Sequence, residues 1–478
     1  MEPQLRGNTV ELGEPVSNWF GDEAYVAWCP TCGAAKHRGE MPRADLECDD
    51  CPGQIEPAYF HRYLTPNGFR TDFKPEDNDL DDVGQMAIRT IATVLREGNP
   101  VDIGCIRVHR GASTTVMNLN DGVENEEGET RFFNVDVVTD NRVPVPGRQS
   151  ATALSEQAIA PERVTPNNNV RWTSANAGLI GPFGLVSRKE TDALYLEVMD
   201  FDTRLCVDLV AKRGDMFQIS ARAAAISATH RLVQKAALDL DVAPDEFEAL
   251  EPRLRGGRPM LQIADSLING SGLCRRLGEL CSDGRPKFIQ LAEEIVSNLD
   301  EWPLKDFLAD NHPETCDASC YACIQQFQNR RYHGLLDWRL GLAYLRAILR
   351  PSYCCGLDGN FDSYPELIGW PARAGALAES VAAMRPGSLR AETSGQQNLP
   401  CIVEFGPRDV VIGKTMVIHP LWRLDIGARQ RFIGHFTGPR VRFVDTFELQ
   451  RRPLRALDLA QVREPAPETR LADVAVAV

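Results

Sequence analysis

His312-Pro-Glu-Thr-Cys316-Asp-Ala-Ser-Cys320-Tyr-Ala-Cys323 places three cysteines within eight residues. Thiolates this close along a chain can bind one metal ion, and thiolate and imidazole groups are the usual ligands of structural zinc. Three cysteines leave one of four tetrahedral positions to be filled. His312, four residues before Cys316, is the first choice for it. The alternatives, which only the fold can bring near, are Cys274, Cys281 and His333.

Four further cysteines form a zinc-ribbon pattern near the start of the sequence. Cys29 and Cys32 are separated by two residues, 15 residues follow, and Cys48 and Cys51 repeat the spacing. Two such pairs complete a closed tetrahedral shell, which suits structural zinc because no position is left for water. A redox pair is the competing interpretation, but no pattern of strand, CxxC and helix supports it. The sequence therefore predicts two zinc ions per chain.

The composition is typical of a globular protein with more than one domain. The 478 residues correspond to two to four domains, with 43% hydrophobic and 25% charged residues. No run approaches the roughly 20 apolar residues of a membrane helix, and the first residues lack the basic flank and apolar core of a signal peptide. We therefore expect a cytoplasmic protein with no membrane partner, in which paired cysteines bind metal rather than form disulfides.

Hydrophobic periodicity predicts a mixed α/β protein of the α+β class. Residues Ile219, Ile226, Val233 and Leu240 recur every seven positions, which predicts a long helix with one buried face. Further elements are expected as follows: strands at Leu194–Met199, Leu205–Val210 and Met260–Ala264, helices near 273–282, 287–299 and 335–349, and several strands within 401–455.

Five regions follow from these patterns. They are a zinc-ribbon lobe (1–75), an acidic helix plus β-hairpin region (76–175), a cysteine-cluster α/β domain (176–384), a basic β-rich section (400–460) and a tail (461–478). In the second region the acidic run Glu76–Asp82 leads into Gln85–Leu95, whose apolar positions predict an amphipathic helix. Asp102–Val108 and Phe132–Val138 alternate like strands on either side of an acidic turn, which predicts the hairpin.

A polar segment follows the three-cysteine cluster. If it is helical, Asn329 and His333 share one face and Asp337 continues it, which would give a structural row of hydrogen-bonding groups. Three arginines in and beside this row are candidates for contact with nucleic-acid phosphates: Arg330, Arg331 and Arg339.

Two motifs that would indicate ATP hydrolysis fail on their context. Gly406–Thr415 ends like a phosphate-binding loop, but six residues separate its glycines and a strand-like run follows where a helix should begin. Asp22–Tyr25 resembles a helicase motif, but no apolar strand precedes it. We therefore expect no enzymatic activity, with ATP hydrolysis supplied by a partner.

Two segments together resemble a known cysteine-cluster domain. One is Leu261–Gly272, and the other is Cys316-x3-Cys320-Tyr-Ala-Cys323 with Asn329-x3-His333-Gly-Leu-Leu-Asp337. This zinc-binding domain of unknown function ends the MrfA-like DNA-repair helicases and forms the core of DrmB, the partner of the helicase DrmA in the DISARM anti-phage system. The resemblance covers about residues 200–345, and the ribbon without a helicase motor is similar to the DrmB type.

The resemblance implies zinc at Cys316, Cys320 and Cys323, a separate helicase or ATPase subunit as partner, and DNA, single-stranded or with free ends, as the nucleic acid. It also implies a role in anti-phage defence or repair. The sequence departs from the family at two places. Glu314 occupies the usual position of the first cysteine, and Asn269–Gly272 replaces the usual run of glycines.

The charge distribution favours local rather than overall contact with nucleic acid. A net charge of −15 excludes a broadly basic surface. Within the chain, 76–130 holds 12 acidic against 4 basic residues, whereas 401–455 holds 10 basic against 5 acidic and 316–350 holds 5 against 2. The acidic region can face a basic partner, and the two basic regions can face phosphates.

Three hypotheses remain from the sequence. The leading one is a non-catalytic zinc protein that docks on a helicase and guides or clamps nucleic acid. The second is a zinc-stabilised scaffold that does not contact DNA. The third is a metal-dependent nuclease that uses His333 and Asp337 with acidic residues from elsewhere.

Overall fold

The computed structural model of this protein has a mixed α/β fold, as predicted. It describes residues 20–31, 34–49, 51–66, 86–96, 98–124, 130–131, 183–207, 209, 212–213, 216–217, 219–309, 312–394, 399–423 and 440–459. The chain divides into two compact units. The N-terminal unit comprises Met1–Leu95 and Thr114–Thr191, and the C-terminal unit comprises Arg96–Ser113 and Asp192–Val478. Among the described helices, none has the length and apolar character needed to span a bilayer.

The described chain up to residue 198 consists mainly of strands. These are β1 Phe20–Trp28, β2 Ala35–Arg38, β3 Leu46–Glu47, β4 Gln54–Ile55, β5 His61–Pro66, β6 Met86–Arg96, β7 Asn99–Ile103, β8 Ile106–Glu124, β9 Thr130–Arg131 and β10 Gly184–Val198, with a 3-10 turn at Pro57–Tyr59.

In the N-terminal unit, β1 pairs antiparallel with β2 and β5, and the start of β10 pairs in parallel with β5. Tyr63 of β5 is central to the core, and its hydroxyl donates to Asp121 at 2.6 Å. Gly184 lies against the Tyr63 ring, where an added Cβ would sit 2.4 Å from a ring carbon. The close approach of β10 to β5 therefore requires glycine at this position.

The segment Gln85–Leu95, predicted as an amphipathic helix, is a strand. Met86–Arg96 forms β6 and pairs with β8. The helix prediction is wrong because five of the eleven residues of β6 are β-branched. Such side chains lose rotamer freedom in a helix and pack well on a pleated sheet. The acidic run Glu76–Asp82 lies outside the described residues.

A β-hairpin is present at the predicted place, since β8 and β9 pair antiparallel on either side of residues 125–129, with Val123 opposite Arg131. A further turn lies earlier in the chain. The predicted strand Asp102–Val108 contains the turn between β7 and β8, where Gly104 has φ 58°. Left-handed backbone of this kind is readily adopted by glycine. The second predicted strand, Phe132–Val138, lies outside the described residues.

The rest of the described chain mixes helices and strands. The helices are α1 Ile219–Leu240, α2 Leu273–Leu277, α3 Lys287–Ser297, α4 Leu304–Leu308, α5 His312–Thr315, α6 Trp338–Leu349, α7 Trp370–Met384, α8 Thr446–Arg451 and α9 Pro453–Leu459, and 3-10 turns occur at Pro244–Glu246, Phe327–Tyr332 and Pro407–Asp409. The strands are β11 Lys212–Arg213, β12 Met216–Phe217, β13 Phe247–Arg255, β14 Arg258–Asp265, β15 Leu389–Ser394, β16 Leu399–Phe405, β17 Val411–Ile418 and β18 Arg440–Asp445.

Helix α1 is the centre of the C-terminal unit and matches its prediction. It packs against α6 and β13, and small residues line much of its buried surface. At Gly341 of α6 an added Cβ would lie 3.0 Å from the Cβ of Ser227, so the two helices approach closely there. This packing fixes the start of α6, which lies directly after the polar segment that follows the cysteine cluster.

Two sets of strands complete the C-terminal unit. Strands β13 and β14 form an antiparallel hairpin, and β14 also pairs with residues 193–197 of β10. Strands β15, β16, β17 and β18 form a separate sheet, in which the last pair is parallel. This sheet confirms the predicted β-rich end of the chain.

The predicted strand Leu205–Val210 is wrong for its described residues. Leu205 makes only an isolated bridge with Trp422, and the Cys206 amide donates to Leu421 O at 2.6 Å. Asp202, three residues before Leu205, accepts bonds from the backbone and side chain of Arg204 and forms a turn there. The turn prevents an extended ladder over this segment.

Candidate metal centres

The four donor atoms predicted from the sequence converge in the C-terminal unit. The ligand atoms of His312, Cys316, Cys320 and Cys323 all lie within 4.8 Å of one another. Cys323 Sγ is 3.9 Å from Cys316 Sγ and 3.6 Å from Cys320 Sγ, and His312 Nε2 is 3.5 Å from Cys320 Sγ. A tetrahedral zinc with bonds of about 2.3 Å to sulfur places its sulfurs about 3.8 Å apart. This group of four, the C-terminal centre, therefore fits zinc.

The local backbone builds this centre from a short helix and a turn. Helix α5 brings His312 beneath Cys316, whose amide donates to His312 O at 2.9 Å. At the turn, the Cys320 amide donates to Cys323 Sγ at 3.1 Å, and the amides of Cys323 and Gln325 both donate to Cys320 O. Amide donors aimed at a sulfur favour its thiolate form, which is the form that binds metal.

Aromatic rings hold the imidazole of His312 in place. The ring stacks on Phe307 at 5.8 Å between centroids and meets Trp338 at 5.6 Å. Its Nε2 faces Cys320, while Nδ1 is buried with no hydrogen-bond partner among the described residues. The rings thus select Nε2 as the ligand atom.

The other candidates for the fourth ligand are engaged elsewhere. Cys274 is fully buried and donates to Ile263 O, Cys281 donates to the Gln290 side chain, and His333 bonds Gln326 O and Asn329. His312 is therefore the residue that the structure brings to the three cysteines.

Two buried arginines offset the negative charge of the C-terminal centre. Arg231 of α1 is 1% exposed, donates to Cys323 O at 3.3 Å and to Gln234 at 2.7 Å, and lies 4.2 Å from the Phe307 ring centroid. Burial lowers the pKa of Arg231 to about 9, and the three cysteines oppose that shift. The Cys316 thiol donates to Cys323, which lowers the pKa of Cys323 and raises that of Cys316.

Arg339, predicted as a phosphate contact, is the second of these arginines. It is 7% exposed, and its guanidinium donates to Pro313 O at 2.6 Å and to the carbonyls of Cys316 and Asp317 at 3.1 Å. It also lies 4.3 Å from the Trp338 ring centroid. The side chain ties α6 to the backbone of the metal centre, so only Arg330 and Arg331 remain as candidates for nucleic-acid contact.

Three cysteines converge in the N-terminal unit as well. The sulfurs of Cys29, Cys48 and Cys51, the N-terminal centre, lie within 4.8 Å of one another, and Cys29 is 3.6 Å from Cys51. That separation exceeds a disulfide bond of about 2 Å and matches two ligands of one zinc ion. Cys32, the fourth predicted ligand, lies outside the described residues.

Backbone turns and one buried cation shape the N-terminal centre. The amides of Cys29 and Cys48 donate to Ala34 O and Gly53 O, and the Gly53 amide donates to Cys51 Sγ at 3.3 Å. The side chain of Lys36 donates to Glu47 O and to Asp49 at 3.0 Å. Lys36 thereby contacts the residues on both sides of Cys48, through the carbonyl of Glu47 and the carboxylate of Asp49.

The predicted polar row is only partly assembled. Asn329 and His333 are bonded at 3.1 Å, and Asn329 also caps the 3-10 turn by accepting from the Gln326 amide. Asp337 instead caps α6, where it accepts from the amides of Arg339 and Leu340. The segment is a 3-10 turn followed by a new helix, because Asp337 is a better helix cap than a mid-helix residue.

Asp337 lines a cavity of about 280 Å³ in the C-terminal unit, whose walls are both polar and apolar. Its charged and polar walls include Asp317, Arg373 and His419, whereas His333 lies outside the lining. Burial raises the pKa of Asp337 and lowers that of Arg373 to about 10. A joint catalytic role for His333 and Asp337 in this cavity would require both side chains to line it. Only Asp337 does so.

The turn after β14 is held by one carboxylate. Asp265 is fully buried and accepts from the amides of Ser271, Leu273 and Cys274, at 2.8 to 3.1 Å. Gly270 has φ 79° and lies against Asp192, where a Cβ would be 2.4 Å from the carboxylate. The segment Asn269–Gly272 is therefore a fixed turn that starts α2.

Two exposed aromatic residues beside the C-terminal centre were not predicted from the sequence. Tyr321 lies between two metal ligands and is 71% exposed, and Phe327 opens the following 3-10 turn and is 72% exposed. Arg330 lies 5.1 Å from the Phe327 ring centroid. The exposure of Tyr321 could have been predicted from its position inside the Cys320-Tyr-Ala-Cys323 turn. A side chain within so tight a turn points away from the ligands.

No protein-family model matches this chain, and no curated protein is significantly similar to it. The chain is distantly similar in structure, over 51% of its length, to the crystal structure of the DUF1998 helicase MrfA bound to DNA. The identity is 11% and the TM-score is 0.24, and the match spans 22% of the helicase chain.

Proposed function

We propose that this chain is a non-catalytic, zinc-binding accessory subunit of a DNA helicase or translocase complex. In that complex the chain guides or clamps nucleic acid. Its biological role is anti-phage defence, as a DrmB-like protein of a DISARM system. One observation carries the proposal: the exposed arginines Arg330 and Arg331 lie on a segment that follows the C-terminal centre directly and is pinned by Asn329. The partner subunit supplies ATP hydrolysis. The resemblance of residues 200–345 supports this assignment.

The composition of the C-terminal centre supports a structural role for the metal. Three sulfurs and one imidazole complete a tetrahedral shell, which leaves no position for a water nucleophile. Two of the ligands, Cys316 and Cys323, are also buried in the apolar core. The zinc therefore stabilises the segment that presents the arginines.

The charge of the chain favours DNA binding in a complex over binding by the chain alone. With a net charge of −15, long-range attraction to DNA is unfavourable, and two exposed guanidinium groups give only weak contact with phosphates. A motor subunit that binds DNA holds the strand close to this segment. The high effective concentration of DNA then compensates for the weak contact of the two arginines.

The test is DNA binding by the full chain, alone and together with a candidate helicase subunit. We expect salt-sensitive binding of a labelled oligonucleotide that strengthens when the helicase is added. In Arg330→Gln/Arg331→Gln, the slope of log affinity against log salt should fall by about 0.7 for each lost phosphate contact. Fluorescence anisotropy at several salt concentrations measures both effects.

The matched control is Arg276→Gln/Arg385→Gln, which removes the same charge from two exposed positions on other elements. ATP hydrolysis by the purified chain would contradict the proposal. Equal DNA affinity of wild type and Arg330→Gln/Arg331→Gln in the assembled complex would instead favour the second candidate, a zinc-stabilised scaffold without DNA contact. Burial of Cys316 and Cys323 in the core is the observation in favour of that scaffold.

A further inference from the structure

We propose that Tyr321, Phe327, Arg330 and Arg331 form a stacking surface for the unpaired bases of a single-stranded nucleic acid. This inference rests on the proposed function and names its substrate class and contact residues. These four residues are called the stacking surface below.

The exposure of the two aromatic rings is the first observation. At 71% and 72%, Tyr321 and Phe327 are the most exposed of the large hydrophobic side chains in the described part of the chain. Exposure of this degree leaves most of each ring accessible to a ligand, and aromatic faces favour stacking. The two rings belong to consecutive turns, one within the metal centre and one directly after it.

Both rings stand on backbone that is fixed before any ligand arrives. Tyr321 lies between the ligands Cys320 and Cys323, and its ring meets the edge of the His333 ring at 5.5 Å and 85°. His333 is held in turn by Gln326 O at 3.0 Å and by Asn329. A preorganised surface loses little conformational entropy when it binds, so modest contacts suffice.

The arginines lie where a nucleic-acid strand needs them. Arg330 is 5.1 Å from the ring centroid of Phe327, and Arg331 is 4.8 Å from that of Tyr332. Both guanidinium groups are on exposed residues. Aromatic rings that stack on bases, interleaved with guanidinium groups that contact phosphates, are the arrangement by which proteins bind single strands without sequence preference.

This arrangement favours a single strand over a duplex and over a protein. In a duplex the bases stack on one another, and their faces cannot reach Tyr321 or Phe327. A protein partner that covered exposed rings would be expected to match them with apolar groups. Here Arg330 lies against the Phe327 ring and Arg331 is the next residue, and their positive charge suits an anionic strand.

The experiment uses the full-length protein, with a labelled oligothymidylate strand and a labelled duplex of the same length as probes. In Tyr321→Ala/Phe327→Ala, affinity for the single strand should fall about thirtyfold or more, since stacking is lost at two positions. Affinity for the duplex should not change. Tyr321→Phe/Phe327→Tyr keeps both rings and should bind the single strand like wild type.

Leu238→Ala is the matched control, because Leu238 is a 60% exposed apolar residue on α1. Zinc content and thermal melting of every variant show whether the metal centre still folds. Equal single-strand affinity of Tyr321→Ala/Phe327→Ala and wild type would overturn the inference and leave a protein-docking surface as the explanation for the rings. If Arg330→Gln/Arg331→Gln still weakens binding in that case, the proposed function stands without the inference. No DNA binding by wild type, alone or with the helicase, would overturn both.

Discussion

The two metal centres place similar ligands in different surroundings. The N-terminal centre lies among short strands and turns. Among the described residues, Lys36 is the one buried lysine or arginine that donates a hydrogen bond to the backbone of this centre. The C-terminal centre is joined to a large helical core, with Phe307 and Trp338 against its imidazole and Arg231 and Arg339 bonded to its carbonyls. We therefore expect the segment around the N-terminal centre to depend on metal for its structure. At the C-terminal centre we expect metal to shape only one segment of a unit that has its own core.

Loss of one ligand at each centre should give the largest difference. Cys48→Ser should release one zinc and unfold the segment around 29–60, because few apolar side chains hold its short strands together. Cys320→Ser should also release one zinc, but α1 and α6 should stay folded and only the segment 312–333 should loosen. Zinc analysis combined with hydrogen exchange along the chain measures both outcomes. Global unfolding of Cys320→Ser would remove the distinction between the two centres.

Arg231 should have the next largest effect. Arg231→Met keeps the packing of the side-chain stem but removes the donor to Cys323 O and the buried positive charge near the thiolates. We expect zinc affinity at the C-terminal centre to fall by about 10- to 100-fold, as for other groups that support metal ligands. Competition with a chromogenic chelator measures this change. Arg231→Lys is the control that keeps the charge, and unchanged affinity in Arg231→Met would show that the charge does not matter.

The ligands could be predicted from the sequence because they are local. Cys316, Cys320 and Cys323 lie within eight residues, and spacing alone limits how far apart their sulfurs can be. Residues that support the ligands from a distance could not be predicted in this way. Arg231 reaches Cys323 across more than ninety residues, and nothing in its own helix pattern distinguishes it from an exposed arginine.

The fold shows the same limit. Helix α1 was predictable because its seven-residue spacing is sustained over three repeats. For β6 the apolar spacing suited a helix, and the β-branched residues together with pairing to β8 decided the outcome. Arg339 looked like a phosphate contact because it is an arginine in a basic stretch, yet the fold turns its guanidinium inward onto three carbonyls.

Acid should destabilise the C-terminal unit through a histidine that is not a predicted ligand. His419 is 3% exposed and faces Cys355, and burial lowers its pKa from 6.5 to about 3. Below pH 6.5 the unfolded chain binds a proton that the folded chain does not, so stability falls as the pH drops from 6.5 towards 3. Between pH 6.5 and 5 the loss from this residue should be about 2 kcal/mol.

Chemical denaturation at several pH values measures this loss, and His419→Gln should reduce the pH dependence of the C-terminal unit. In the N-terminal unit, burial lowers the pKa of His37 to about 4, and His37 is less buried than His419. A smaller loss of stability is therefore expected from His37 than from His419. An equal pH dependence in wild type and His419→Gln would contradict the prediction.

Lys36 should have the smallest effect and completes the comparison of the two centres. Its ammonium group bonds Glu47 O and Asp49, but the Asp49 side chain is 69% exposed, so solvent weakens the ion pair to about 1 kcal/mol or less. Lys36→Met should lower zinc affinity at the N-terminal centre only a few-fold, whereas Lys36→Arg should retain it. The same chelator competition that is used for Arg231→Met gives the comparison. If zinc affinity fell as much in Lys36→Met as in Arg231→Met, both centres would depend equally on a buried cation. That result would contradict the proposed difference between their surroundings.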